Sequence, residues 1–432
     1  MSLADVENEL TIYYRDKSYS WNDLSKKINN FSTDSPCIIP AQQRFSTILN
    51  LLYGFINEKV VFPVSSEFLV KETAINRCIL SENSALAIAT SGSQAKPKIA
   101  IISRKNIISH CQSFTKIVSM ETSSVWLNCM PLNHIAGIMI VYRCWFNNAS
   151  MVLHDDFDVQ KIWNDMHHFS VSHISLVPRM LSRLLEYSQN LAMPKNLKYV
   201  IVGGDKISDS LFQRAVSAGW PILISYGMTE ATSTIAIGSK PDKLVPLDGF
   251  DIEITSEDTL KIKGAMVFSG FFQREGQGFF EREDDGAVEG EGPGLISDCS
   301  DSNLRPCSSE WFETNDRVRW DGKYLSIQGR NDDMIISAGK NIPPEYIESL
   351  LSTAAIDDVA IGKIYSSEWG DTIVALVCGD LDEFKIWIKA KIQSVYQPRF
   401  FVRVERIPRN LMGKIDRKAV QVLIDEKINI VK

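Results

Sequence analysis

Between residues 98 and 225, short runs rich in β-branched apolar residues alternate with helical patterns. The runs are 98–103 (KIAIIS), 171–177 (VSHISLV), 198–202 (KYVIV) and 221–225 (PILIS), and the helical patterns include 158–168, 179–188 and 207–218. Extended runs that alternate with helices cannot all be paired through tight turns, so this order predicts βαβ units and a parallel sheet sandwiched by helices, an α/β fold. The chain has the means to build it: of 432 residues, 44% are hydrophobic and 23% charged, far from disordered, collagen-like or disulfide-scaffold compositions. Its length suggests two or three domains.

Strand alternation with glycine turns replaces the α/β pattern at 247–272 and 311–328, and Asp321-Gly322 is a hairpin signal. A β subdomain is therefore expected after the α/β part. Beyond Gly329-Arg330 the pattern resets: a strand at 333–337, a helix opening at Pro343-Pro344-Glu345, strands at 358–364 and 372–378, a helix at 382–395, and a basic tail. These signals divide the chain into a large N-terminal domain, 1–330, and a small C-terminal α+β domain, 331–432. Residues 281–301 carry eight acids against one arginine and little periodic apolar content, which predicts a mobile, solvated surface loop.

The formal net charge is −7, and that acidic segment could account for all of it. A mildly acidic chain of this kind argues against nucleic acid or an anionic membrane as its main partner. The eight cysteines show no C-x-x-C pair and no regular spacing, as reduced thiols would. The N-terminus lacks the charged and apolar regions of a signal peptide, and no apolar run approaches eighteen residues, so a cytoplasmic protein is expected.

Five short motifs bear on chemistry. Residues 90–98 (TSGSQAKPK) form a small, hydroxyl-rich loop in which backbone N–H groups, the hydroxyls of Thr90, Ser91 and Ser93, the bend at Gly92 and the Lys98 cation can surround phosphates. Taken alone, the same composition also describes an ordinary surface turn. The loop is not a Walker A sequence. The others follow in order: 225–230 (SYGMTE), 312–316 (FETND), 329–333 (GRNDD) and 408–417 (PRNLMGKIDR).

Together, and in this order, the five motifs resemble those of the adenylate-forming superfamily of acyl-CoA synthetases, adenylation domains and luciferases. The resemblance runs from about residue 19, where 19–24 (YSWNDL) is similar to an early family motif, to residue 420. It implies that 90–98 is a phosphate loop, that Tyr226, Gly227 and Met228 wall the adenine, that Thr229 is a phosphate ligand, and that Glu230 holds Mg²⁺. One carboxylate plus substrate phosphates is the usual environment of that hard cation. It also implies that Asp316 holds the ribose hydroxyls with help from Arg330, and that Asp332 is a hinge about which the C-terminal domain rotates. Lys414 would be the catalytic lysine delivered by a closing lid. Of the eight basic residues between 391 and 418, Lys414 and Arg409 are the functional candidates, the others reading mostly as a solvated face. The implied reactants are a carboxylic acid, ATP, Mg²⁺ and CoA. The chain departs from the family at Gln94, Ala95 and Asn315, and its N-terminal part is short.

Within the superfamily, 130–137 (MPLNHIAG), Arg143, 174–178 (ISLVP) and 203–205 (GGD) are most similar to the o-succinylbenzoate-CoA ligases of menaquinone biosynthesis. This places His134, Arg143, Gly203, Gly204 and Gly227 around the acid. His134 would lie by the reacting carboxylate, and Arg143 either pairs with a second substrate carboxylate or forms a structural ion pair. His167, His168 and His173 lack companion ligands for zinc. The readings left open are another aryl- or acyl-CoA ligase, a free-standing adenylation enzyme, and an ATP-binding protein without turnover.

Overall fold

The computed structural model describes residues 8–31, 37–65, 83–90, 98–272, 311–337, 340–351, 354, 356, 358–366, 370–410 and 413–429. The predicted 281–301 loop lies outside these residues, as do Ser91, Gly92, Ser93, Gln94 and Ala95.

The predicted parallel sheet is the largest element. Strands Ile12–Tyr14, Ser150–Leu153, Val125–Asn128, His173–Leu176, Tyr199–Gly203 and Ile222–Met228 lie side by side and parallel. Antiparallel strands close both edges: Lys17–Tyr19 at one, Ser233–Gly238 and Val245–Pro246 at the other. Helices Ile135–Phe146, Val159–His168, Pro178–Tyr187 and Asp209–Ser217 make the crossovers. Asp158 and Ser208 cap two of them by accepting the N–H of Lys161 and Leu211, and Pro178 starts the third at its first turn.

One expectation requires correction. Residues 98–103 do not join this sheet; Lys98–Ser103 pairs antiparallel with Ser84–Thr90, Thr90 opposite Lys98, in a separate five-stranded sheet. The connection over 91–97 is too short for a crossover helix, so the chain can only return antiparallel. The expected β subdomain is a four-stranded sheet of Phe250–Ile254, Thr259–Gly264, Phe312–Trp320 and Leu325–Arg330. Its Asp321-Gly322 turn is held by Asp321 Oδ1, which accepts the N–H groups of Lys323 and Tyr324. Residues 270–272, read with this subdomain, instead extend the five-stranded sheet by pairing with Lys98–Ser103.

One apolar core runs from Leu10 to Leu325, around Trp126, Tyr142, Phe114 and Phe268. Separate clusters begin at Ile335 and Ala360 and are built wholly from the C-terminal part. There Asp358–Ser366 and Gly370–Cys378 form the central hairpin, packed by helices Pro344–Leu351, Leu381–Lys391 and Arg417–Asn429. The stretch read as a basic tail is thus ordered. Phe400–Arg403 adds a parallel strand to Gly370–Cys378, and the last helix buries Val420 and Ile424 behind the sheet. In sequence, the basic residues before this helix dominate the reading. Among the described residues, no helix is long and apolar enough to cross a membrane.

Candidate active site

The carboxyl ends of the parallel strands open into a cleft of about 2680 Å³ between the two parts of the chain. That is larger than the ~300–1,000 Å³ of an ordinary small-molecule pocket, as a site for several reactants must be. Every described residue that the motifs single out lines it: Thr90 and Lys98; His134 and Arg143; Gly203 and Gly204; Tyr226, Gly227, Met228, Thr229 and Glu230; Asp316, Arg330, Asp332 and Lys414. Asp205, Ser225 and Ser233 line it as well.

Strand Ile222–Met228 ends in a tight turn. Thr229–Ala231 makes one 3₁₀ turn, stopped by Thr232 at φ +57°, and Ser233 follows at φ +126°. Two consecutive non-glycine residues at positive φ store strain, which the surroundings must hold; the Thr232 hydroxyl donates to Met266 O at 2.7 Å. The returning strand comes so close that a Cβ on Gly227 would sit 1.8 Å from Ser233 O. Glycine is required there by contact with backbone that cannot step aside. Gly227→Ala is expected to displace the 227–233 turn and to remove nucleotide binding, measured by titration calorimetry with ATP, with a melting temperature lowered by several degrees.

On one side of this turn, the Tyr226 hydroxyl donates to Asp316 Oδ2 at 2.6 Å. Asp316 is 6% exposed and stands opposite Arg330 in the Phe312–Trp320/Leu325–Arg330 ladder, with Arg330 NH1 3.8 Å from Oδ1. Burial raises the Asp316 carboxyl above its ordinary value, opposed by the tyrosine hydrogen bond and the Arg330 charge. One carboxylate oxygen is thus engaged by Tyr226, and Oδ1 keeps lone pairs for a ligand. Arg330 also lies 3.6 Å from Asp332 Oδ2. Burial raises the Glu230 carboxyl too, and among the described residues Glu230 has no ion-pair partner.

Thr90 closes its strand with its hydroxyl 3.2 Å from Lys98 O, and the Lys98 ammonium lies 5.1 Å from the Phe271 ring centre.

On the other side, His134 precedes helix Ile135–Phe146 as its N-cap, and its side chain makes no capping bond. Burial and then the Lys414 charge push its imidazole down to about 4, so it is neutral near pH 7. Deeper still, Arg143 is 3% exposed. Its guanidinium carbon stacks 3.7 Å from the Phe114 ring centre, Nη2 donates to Ser233 Oγ at 3.2 Å, and among the described residues the buried Nε has no partner. Among the described residues no carboxylate pairs with it, so the alternative of a structural ion pair is not what the site contains. Burial lowers Arg143 to about 10, which leaves it charged at neutral pH.

Lys414 enters from the C-terminal part. A turn brings Gly413 N–H to Asn410 O at 2.8 Å with Gly413 at φ +76°, and Arg409 bridges Ile415 across it. The Lys414 side chain reaches Gly204: a Cβ there would lie 3.8 Å from Nζ. Burial lowers its ammonium, the Asp205 and Asp316 charges oppose that, and Arg330 adds to it. Arg409, a functional candidate by sequence, instead braces the turn. It pairs with both carboxylate oxygens of Asp358 at 2.8 and 2.9 Å and donates to Gly413 O at 2.9 Å. Arg409→Gln should therefore slow adenylation about tenfold or more, the worth of charged hydrogen bonds, while the affinity for ATP stays unchanged. Rates and calorimetry on the same variant check this.

Sequence reasoning missed Ser233 and the buried Arg44, which donates to Met130 O at 2.6 Å and fixes the start of the 131–134 loop. Neither sits in a recognisable motif. His173, considered for zinc, is satisfied by Ser172 Oγ at 2.7 Å and Ser119 O at 3.0 Å.

The sequence model of the AMP-binding enzyme family matches residues 41–270. The chain is 26% identical over 378 residues to 2-succinylbenzoate–CoA ligase of Bacillus cereus, covering 82% of this chain and 73% of that one. Among solved structures it is similar to o-succinylbenzoate CoA synthetase (MenE) of Bacillus subtilis in complex with the acyl-adenylate intermediate OSB-AMP. The TM-score is 0.79 at 21% identity, over 97% and 96% of the two chains. ATP-bound MatB from Rhodopseudomonas palustris matches nearly as well, with TM-score 0.78 at 17% identity over 96% of each chain. With the family model spanning more than half of its length, the chain belongs to the AMP-binding enzyme family.

Proposed function

We propose that the chain is an AMP-forming acid-CoA ligase acting on o-succinylbenzoate. The observation that carries the reading is one cleft holding Lys414, the Tyr226–Asp316 pair, Glu230 and a buried Arg143 that has no carboxylate partner among the described residues. The MatB likeness means that the fold alone does not choose the acid. Arg143 narrows the choice: a guanidinium against aromatic rings, with no carboxylate partner among the described residues, suits an aryl diacid whose second carboxylate ends there. The relatives named 2-succinylbenzoate–CoA ligase point the same way.

In the first step a carboxylate oxygen of the acid attacks the α-phosphorus of ATP, forming an acyl-phosphate bond as the bond to pyrophosphate breaks. Lys414 stabilises the charge growing on the α-phosphate. Asp316 accepts from the ribose with Arg330 beside it, while Tyr226, Gly227 and Met228 flank the base and Thr229, Thr90 and Lys98 the phosphates. Neutral His134 orients the reacting carboxylate by donating a hydrogen bond. The Glu230 carboxylate, free of ion pairs among the described residues, fits a magnesium ion shared with the phosphates, which would supply charge neutralisation there; a MenE neighbour is described in complex with ATP and magnesium ion. In the second step the CoA thiol attacks the activated carbonyl, and AMP leaves. Residues 331–432 serve as the lid that carries Lys414, swinging about Asp332, and 1–330 hold the nucleotide and acid.

The test is pyrophosphate release with Mg·ATP across o-succinylbenzoate, benzoates, medium-chain fatty acids and amino acids, each with and without CoA. Release with o-succinylbenzoate and a CoA-dependent thioester is expected. Release with a different acid only would keep the mechanism and reject the substrate, and ATP binding without release for any acid would reject both.

A further inference from the structure

The wall that holds Arg143 has a second buried base behind it. His110, on helix Arg104–Thr115, is 0% exposed. Its Nε2 accepts the N–H of Thr234 at 3.0 Å and lies 3.1 Å from the same residue's carbonyl oxygen. Among the described residues, Nδ1 is buried without a partner, as is Arg143 Nε. The two side chains share Phe114: the His110 ring stacks on it with centres 5.9 Å apart, and the guanidinium lies over it. Thr234 is gripped from the other direction by Ser225, hydroxyl to hydroxyl at 3.0 Å. Its neighbour Ser233 takes the Arg143 N–H and crowds Gly227.

We propose that His110 is the positioning residue of the acid pocket: by clamping Thr234 it fixes Ser233, and through the Ser233 hydroxyl it aims Arg143 at the second carboxylate of the acid. This rests on the reading of Arg143 given above and deepens it. The physical need is plain at Ser233, whose backbone sits at φ +126° and would relax unless the next residue were held. A histidine suits the place because it meets the Thr234 backbone with one nitrogen while staying uncharged beside a guanidinium; burial, and then the Arg143 charge, keep it deprotonated. Lysine or arginine there would set two cations together in the core.

A double-mutant cycle on the full-length protein tests this, with KM for o-succinylbenzoate and for ATP as readouts. His110→Leu is expected to raise KM for the diacid about tenfold, the worth of a well-placed charged contact, with KM for ATP raised far less. In an Arg143→Met background the same change should do nothing further. His110→Gln, long enough to reach Thr234, should restore most of the loss. Should His110→Leu fail to fold, His110→Asn, polar but too short, is expected to behave as the leucine variant would. Additive effects in the two backgrounds, a matching rise in KM for ATP, or no rescue by glutamine would overturn the clamp. So would an unchanged KM in His110→Leu alongside a raised one in Arg143→Met. An Arg143→Met variant with unaltered KM would overturn the Arg143 reading itself, and the clamp with it.

Discussion

Lys414→Ala is expected to slow acid-dependent pyrophosphate formation by about 10²–10³-fold, the usual cost of deleting a donor aimed at developing negative charge. Thioester formation from supplied acyl-adenylate should change by far less, because the proposed swing of the lid about Asp332 carries Lys414 away from the phosphate once the adenylate has formed. The turn that presents the lysine is held by Arg409, Asp358, Asn410 and the Lys414 backbone rather than by the lysine side chain. The alanine variant should accordingly keep its fold and its affinity for ATP. A pH profile adds a second readout. Lys414 is needed protonated, so kcat/KM for adenylation falls as pH rises through its pKa. Burial places that pKa below the ordinary 10.5, and the alkaline limb should appear correspondingly early. The alanine variant should lose that limb. Equal losses in both half-reactions would remove Lys414 from the role given to it.

Arg143→Met should show the opposite balance between stability and function. A guanidinium at 3% exposure, with Nε unpartnered and no carboxylate beside it among the described residues, is costly to bury. Stacking on Phe114 and the bond to Ser233 offset only part of that cost. An apolar side chain of similar length removes the penalty, so the variant should be more stable by about 1–2 kcal/mol, seen as a higher melting temperature. At the same time its KM for o-succinylbenzoate should rise at least tenfold, since a buried carboxylate would lose its counter-charge. A variant less stable than the parent, with KM unaltered, would mark Arg143 as a structural residue.

Much of this was legible along the chain. The alternation of apolar runs with helices announced the parallel sheet, since period-2 and period-3.6 patterns are properties of neighbouring residues. The core cluster reaching Leu325 and the clusters starting at Ile335 and Ala360 lie on either side of Arg330, where the sequence pattern resets. The motifs at 225–230, 312–316, 329–333 and 408–417 each put residues on one cleft: 225–230 and 329–333 turn at strand ends, 312–316 opens the strand paired with Leu325–Arg330, and 408–417 turns into the last helix. Misreadings came where a strand's partner had to be known. The runs at 98–103 and 270–272 read in sequence with the strands that follow and precede them, yet 98–103 pairs with Ser84–Thr90 on one side and with 270–272 on the other. The C-terminal helix was legible from Val420, Leu423, Ile424 and Ile428 at helical spacing, but the basic residues before it dominate the reading.

What the sequence determined by itself is therefore local: which segments are strands or helices, where the chain turns, and which residues carry hydroxyl, carboxylate and ammonium groups to those turns. Tertiary structure alone decided which groups stand together. Arg409 could be catalytic or structural in sequence, and became a brace only because Asp358 lies within 2.8 Å. Arg143 could face an internal carboxylate or a substrate, and it meets Phe114, Ser233 and the cleft instead. His110 has no motif at all; its place behind Thr234 spans 124 residues of chain. Burial, pairing and charge environment arise from contacts across such separations, and the free energies that shift a pKa or orient a guanidinium reside in those contacts rather than in the order of residues.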